Sequence, residues 1–479
     1  MQDNAQTKIS SGIAMLAPTE AIEKLKQHLA DAIGQLALAE PYGLASIVLE
    51  LPSIPALAPS LVGPQFAFAH RDRNALHAGY GVAAEWQASG PMRLAQLREK
   101  AAGLRKSWQQ IDVDGTGLDG FAMLGFAASP DQPTRPQPVG AELPNALLWI
   151  PELALHAHRD QGALILTTPR PANPGEVLAR WQAWLDRIIP ALAATQPAPG
   201  RAPTLELQRQ NEPDIAGWAR LVEAALAQIA QGRIEKAVVS RRLRLEASRP
   251  YDIDRLMAAL AELFPSCQLI QLRYGDSSLV AATPERLLTQ AGTEVEVDAI
   301  AGTVARAASV AEDAALSEIL RTSAKDRHEH ALVIEAVRTA LADCAEHIRV
   351  APTPSIMQLR NAQHLWSPVR ATVRPDMDIF QLAERLHPTP ATNGEPREAA
   401  SAWLRDAESV ERGWYTGAAG IIEPDLTGEL WVLLRCARIQ GITADLFAGA
   451  GIVAGSDPHA EWLETEDKLA AILTALQFA

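Results

Sequence analysis

The chain has 479 residues, 48% of them hydrophobic, enough for a large core in two or three ordinary domains or one large two-layer catalytic domain. Its formal net charge of −14 argues against a nucleic-acid or anionic-membrane surface, since both call for basic patches; an anionic substrate needs locally clustered Arg and Lys. Cys267, Cys344 and Cys436 are too scattered for a disulfide framework or a zinc site and are expected to be reduced and buried, and no stretch of about 18 apolar residues and no basic-then-apolar start after Met1 points anywhere but to a soluble, cytoplasmic protein.

Two proline-rich stretches, Ser129 to Pro138 and Gln196 to Pro203, read as loops or linkers. Between them Val177, Leu178, Trp181, Trp184, Leu185, Ile188 and Ile189 recur at helical spacing within Pro174 to Ala194, closing an N-terminal region that alternates strands and helices and carries no chemical motif. Asp214 to Gln231 reads as an amphipathic helix stopped by Gly232. Lys236 to Leu245 reads as a strand, Gln268 to Tyr274 and Ser278 to Ala282 as a hairpin around Gly275-Asp276, and Glu294 to Ile300 as a strand before the loop Ala301-Gly302-Thr303. Glu312 to Ala345 reads as one long helix with a break before it. Leu446 to Pro458 reads as a strand, a glycine loop and a helix start, capped by Ser456 or Asp457. Hairpins mixed with long helices give an α+β fold class with large antiparallel sheets.

Chemistry concentrates in two helical segments. In the last helix Glu461, Glu464 and Lys468 fall three and four apart, so two carboxylates and an ammonium share one face. A glycine-stripped backbone at Gly449 and Gly451 can bring N–H groups close to an anion. In Lys325-Asp326-Arg327-His328-Glu329-His330 the two histidines point to different faces, which excludes a zincin site. Glu329 with Glu464 can hold Mg²⁺, a cation that prefers oxygen ligands; the plain alternative is a surface carboxylate paired with Lys325. A dinucleotide fingerprint at Gly449 to Gly455 fails on spacing and on its place late in the chain.

In order, Glu235 to Arg241, Thr283-Pro284-Glu285-Arg286-Leu287, Ile300 to Thr303, Lys325 to His330, His387-Pro388-Thr389-Pro390-Ala391, Gly413-Trp414-Tyr415-Thr416-Gly417, Arg435-Cys436-Ala437, Gly449 to Gly451 and Glu461 to Lys468 resemble the chorismate-utilising enzyme family. The resemblance covers roughly residues 205–479, a chorismate-binding catalytic region; residues 1–204 are expected to be a divergent part of the same sandwich, with large antiparallel sheets packed together and flanked by helices.

The resemblance implies a Mg²⁺-dependent isochorismate synthase that adds water at C2 of chorismate and expels the C4 hydroxyl, feeding salicylate and siderophore synthesis. The competing implications are a salicylate synthase or a menaquinone-pathway enzyme. Ala301 stands where aminodeoxychorismate formers carry a nucleophilic lysine, and Ala391 where salicylate and anthranilate makers carry threonine; Thr392-Asn393 depart from the family's small apolar residues. By resemblance Lys236 is the base and Glu285 the acid; both then need shifted pKa values, the lysine to be neutral and the glutamic acid to be protonated. Glu329 and Glu464 are implied metal ligands, with Glu461 acting through water. Arg435, Tyr415 and the N–H groups near Gly449 and Gly451 are implied to hold the enolpyruvyl carboxylate. Lys468, Thr303 and Gly302 are substrate contacts by the same likeness. His364 fits a substrate contact or a hydrogen-bonded core histidine equally. The family likeness implies a monomer, and no glutaminase signature is present.

Overall fold

The computed structural model describes residues 18–131, 143–194, 206–360 and 362–479. The second proline-rich stretch, and all of the first beyond Asp131, lie outside them.

Strands repay their backbone polar groups by pairing, and here they pair into two sheets of 13 and 10 strands. Among the described residues every pairing is antiparallel except that of Leu44–Glu50 with Trp108–Asp112. Side chains alternate between faces along a strand. Ile47 and Leu49 therefore join an outer core beneath helices, while Val48 joins the core between the sheets. Leu148 and Ile150 likewise face outward from the smaller sheet, and Leu147 and Trp149 inward. The result is a four-layer sandwich: helices, the larger sheet, the smaller sheet, helices. Pro18–Ala32, Pro174–Ala193, Ile253–Leu263 and Pro458–Leu476 cover the larger sheet; Arg93–Arg105, Ala324–Leu341 and Ile379–Leu386 cover the smaller.

Strands from early and late in the chain interleave. Gln65–His70 pairs with Gln268–Tyr274 in the larger sheet, and Ala122–Phe126 with Ala418–Ile422 in the smaller.

The expected helix near 214–231 is Ile215–Ala230, capped by Asp214 and stopped by Gly232 at φ +67. The hairpin forms as Gln268–Tyr274 with Ser277–Thr283. All three cysteines are free and buried.

Three expectations are corrected. The single helix over 312–345 is two, Val310–Thr322 and Ala324–Leu341, because Ser323 leaves helical geometry and caps the second through its hydroxyl, 3.2 Å from the Asp326 amide. The loop at Ala301-Gly302-Thr303 is a bulge inside the strand Glu294–Ala305: the register slips there and Gly302 takes φ +72, which glycine adopts without a Cβ clash. Gly449 and Gly451 belong to the strand Thr443–Ile452 rather than to a loop. There glycine serves close approach: a Cβ on Gly451 would lie 2.7 Å from a Glu329 oxygen and 3.0 Å from Lys236 Cε.

Asp457 caps Pro458–Leu476 by accepting from the His459 and Ala460 amides at 3.1 and 2.8 Å. Asp457→Ala is expected to cost about 1 kcal/mol of stability. A lower urea midpoint with an unchanged slope checks it.

Candidate active site

Lys236 is the first residue of the strand Lys236–Ala247 and is wholly buried. That strand runs antiparallel to Thr443–Ile452, with Val238 opposite Gly451 and Ser240 opposite Gly449. The glycines leave a trough over this part of the ladder, and Glu329, from helix Ala324–Leu341, reaches into it to pair with the Lys236 ammonium at 2.8 Å.

Glu285 and Arg435 sit where the chain crosses between sheets. Glu285 lies between Ser277–Thr283 of the larger sheet and Arg286–Ala291 of the smaller; Arg435 lies between Gly428–Val432 of the smaller and Cys436–Gln440 of the larger. The two crossings run side by side. The Val432 amide donates to Glu285 O at 3.0 Å, the Ala282 amide to Arg435 O at 3.2 Å, and Thr283 Oγ1 to Val432 O at 2.7 Å.

These placements set the electrostatics. Burial, then the neighbouring Asp298, pushes the Glu285 carboxyl up to about 8 against the pull of Lys236, Arg435 and Lys468. Burial also works on Glu329, but the ammonium groups of Lys236, Lys468 and Lys325 outweigh it and hold its carboxyl below the usual range. Two acids thus diverge, the buried Glu285 held neutral and the half-buried Glu329 held ionised. Such divergence is how acid and base roles are separated in catalytic sites.

Arg435 has a left-handed backbone, φ +45. Its Nη2 lies 3.3 Å from His364 Nε2, and its buried Nε has no partner among the described residues. Among the described residues no carboxylate bonds this buried guanidinium, which leaves it free to take up an anion. His364 Nδ1 approaches Thr303 Oγ1 at 3.1 Å and Gly302 O at 3.2 Å. Burial, then Arg435 and Lys468, pushes that imidazole down to about 3, so it is neutral and links the bulge to Arg435. Tyr415, buried and stacked on Phe447, directs its hydroxyl to within 3.1 Å of where a Cβ on Gly449 would stand. Lys468 donates to Gly449 O at 2.8 Å and pairs with Glu464 at 2.7 Å. Ala391 is half-buried against the apolar core of the smaller sheet, two residues before Asn393, whose carbonyl accepts from the Val238 amide at 2.8 Å.

The expected metal ligands are near one another without forming a closed set. Among the described residues no three His, Cys, Asp or Glu side chains converge with metal-ligand geometry. Each carboxylate is held by a lysine instead: Glu329 by Lys236, Glu461 by Lys325 at 3.2 Å, Glu464 by Lys468. Lys325 therefore does not pair with Glu329 as helix spacing suggests. Like charges repel unless a cation lies between them, and here ammonium groups fill that role. The donor set still fits Mg²⁺: it is all oxygen, and burial, then Glu464, raises the Glu461 carboxyl.

Sequence reasoning missed Arg412 and Glu408, which pair four residues apart but also bond the Val238 and Thr392 carbonyls and the Ser240 amide, all remote in sequence. Cavities of about 410 and 690 Å³ meet at Arg412 and Gly413, yet neither is lined by Lys236 or Glu285. Charge, more than volume, marks the chemistry here.

A double sheet that brings a buried acid and an arginine at its crossings near a buried lysine is the setting of an enzyme site. The match that accompanies it is to the chorismate binding enzymes, over residues 32–477, and the chain belongs to that family. It is 33% identical to the salicylate biosynthesis isochorismate synthase of Pseudomonas aeruginosa over 406 residues, 83% of this chain and 82% of that protein. It is 34% identical to isochorismate synthase MenF of Escherichia coli over 291 residues, 60% of this chain and 67% of that one. The solved structure of MenF, the menaquinone-specific isochorismate synthase from Escherichia coli, superposes with a TM-score of 0.78 at 26% identity, covering 96% of this chain and 99% of that one. The α+β fold is that of this family. No helix among the described residues is long and apolar enough to cross a membrane.

Proposed function

We propose that this enzyme is an isochorismate synthase, converting chorismate to isochorismate with Mg²⁺ as cofactor. The observation that carries the reading is Glu285, a buried carboxyl that keeps its proton to about 8 beside a buried lysine. Lys236, an ammonium paired with Glu329 at rest, first gives up a proton to solvent; its neutral Nζ then takes a proton from the water that attacks C2, the ring double bond migrates, the C4–O bond breaks, and Glu285 delivers its proton to the departing oxygen. One hydroxyl is exchanged for another, so atoms and charge balance and the reaction is reversible. Arg435 and Tyr415, with backbone N–H groups near Gly449 and Gly451, hold the enolpyruvyl carboxylate. Thr303, Gly302, His364 and Lys468 line the ring's side of the site. Glu329 and Glu464 would hold Mg²⁺, with Glu461 bonded through water, and the ion would supply positive charge for the ring carboxylate.

Ala391 supports water addition as the end point, since it offers neither a hydrogen bond nor bulk where a threonine steers relatives of other activity. Likeness to the Pseudomonas aeruginosa protein along most of both chains favours a supply role for salicylate and siderophore synthesis, with a separate lyase downstream. The same reading has the enzyme cytoplasmic, monomeric and without a glutaminase subunit.

Product identity tests it. Chorismate and Mg²⁺ incubated with enzyme alone are expected to yield isochorismate, and purified isochorismate to regenerate chorismate. Stoichiometric salicylate and pyruvate, formed as fast as chorismate disappears, would place the chain among salicylate synthases.

A further inference from the structure

Arg412 lies three residues before Tyr415, and its side chain is 12% exposed. A guanidinium has five N–H donors, and here each finds an acceptor. Nε donates to Glu408 Oε2 at 2.8 Å. Nη1 donates to Thr392 O at 2.7 Å and to Thr416 Oγ1 at 3.4 Å. Nη2 donates to Val238 O and to Glu408 Oε1, both at 2.6 Å. Glu408, directly after helix Arg397–Ala407, completes the cluster by accepting from the Ser240 amide and hydroxyl, each at 2.8 Å.

Each segment so joined carries or borders a residue of the site. Val238 is two residues beyond Lys236, Thr392 follows Ala391, and Thr416 follows Tyr415. None of these bonds reaches a reacting group, so the cluster acts through the backbone and the Ser240 and Thr416 hydroxyls of the joined segments. Stability alone is a poor account of it. A buried ion pair gains little net free energy over an apolar packing of the same shape, whereas five directional bonds fix relative position.

We propose that Arg412 is a positioning residue that sets the Lys236 strand, the Ala391 loop and the Tyr415 turn in register with one another, a proposal that rests on the reading of Lys236 as the base. Lysine at this position keeps the charge but loses the planar fork, so it cannot bond Val238 O, Thr392 O and Glu408 together. Small displacements of a reacting group are costly: about 1 Å lowers turnover by about 10²-fold.

The test uses Arg412→Lys, with Glu408→Gln as a second variant should the first fail to fold. Thermal melts, the steady-state kinetics of chorismate consumption, and deuterium uptake by residues 236–240 and 389–393 are measured on the full chain. In a folded variant kcat is expected to fall about 10- to 100-fold while KM stays within about threefold. Uptake is expected to rise in both segments together, although they are far apart in sequence. For Arg412→Ala, added guanidinium ion is expected to restore part of the lost kcat. Wild-type kcat in a folded Arg412→Lys, unchanged uptake in either segment, or a kcat loss that disappears whenever osmolyte restores the melting temperature overturns the proposal. A wild-type enzyme that yields a product other than isochorismate would sink the functional reading alone, because exchange and chorismate consumption report on Arg412 whatever the product.

Discussion

Lys236→Ala and Glu285→Gln are each expected to lower isochorismate formation by about 10²- to 10⁴-fold while the protein stays folded, because each would remove one proton-transfer partner of a single displacement. More than about a tenth of wild-type turnover in either variant would overturn their assignment. A pH dependence accompanies this. The acid has to be protonated, so kcat should fall above pH about 8 as Glu285 ionises. Stability moves by the same linkage. In the unfolded chain this carboxyl ionises near its ordinary 4.5, whereas in the fold it keeps its proton to about 8. Between those values the folded state binds the extra proton, so stability falls as pH rises through that window. Glu285→Gln removes the titration and is expected to flatten that decline. Denaturant midpoints between pH 5 and 8 check it.

Chelation is expected to abolish activity and Mg²⁺ to restore it, and Glu329→Ala and Glu464→Ala should each lose about 10²-fold or more, since a cation held there would neutralise a substrate carboxylate. Glu461→Ala should be milder, about tenfold, if its bond runs through water. Glu329→Ala has a further consequence, because it strips Lys236 of the carboxylate now 2.8 Å away. Mg²⁺ titration calorimetry separates the two effects: weakened binding identifies a ligand, while intact binding with low activity identifies an electrostatic partner of the lysine. Full turnover in a chelated preparation would refute the metal reading altogether.

The site was legible as a series of short motifs because each puts a charged or glycine residue at a fixed place beside an apolar run. Lys236 opens a strand, Glu285 follows Pro284, and Glu461, Glu464 and Lys468 share a helix face. Their pairing was less legible. Lys325 stands one turn before Glu329, yet bonds Glu461 from another element, because tertiary packing brings that carboxylate closer. Gly302 and Gly449 read as loop residues for a related reason. Glycine marks both turns and places where something must come close, and the second use depends on neighbours from elsewhere in the chain. The N-terminal half offered the least. Leu44–Glu50 and Ala146–Ile150 are buried on both faces, so their sequences are near-continuous apolar runs without the alternation that marks a half-exposed strand. The break at Ser323 was hidden because a single non-helical residue barely disturbs the surrounding periodicity.

The side-by-side crossings at Glu285 and Arg435 bear on how the enzyme tolerates change. They form a bracket tied by backbone and Thr283 hydrogen bonds, so the proposed acid and the arginine proposed to hold the anion would move as one body in any sliding of the sheets. Lys236 belongs to the larger sheet alone. Substitutions that thicken or thin the core between the sheets, such as those at Phe66, Trp149 or Ile421, should therefore alter the spacing from base to acid before they alter the spacing from acid to arginine. Such variants would keep their grip on the substrate and lose pace in the chemical step, and the thickness of that core acts as a coarse adjustment of rate, separate from affinity.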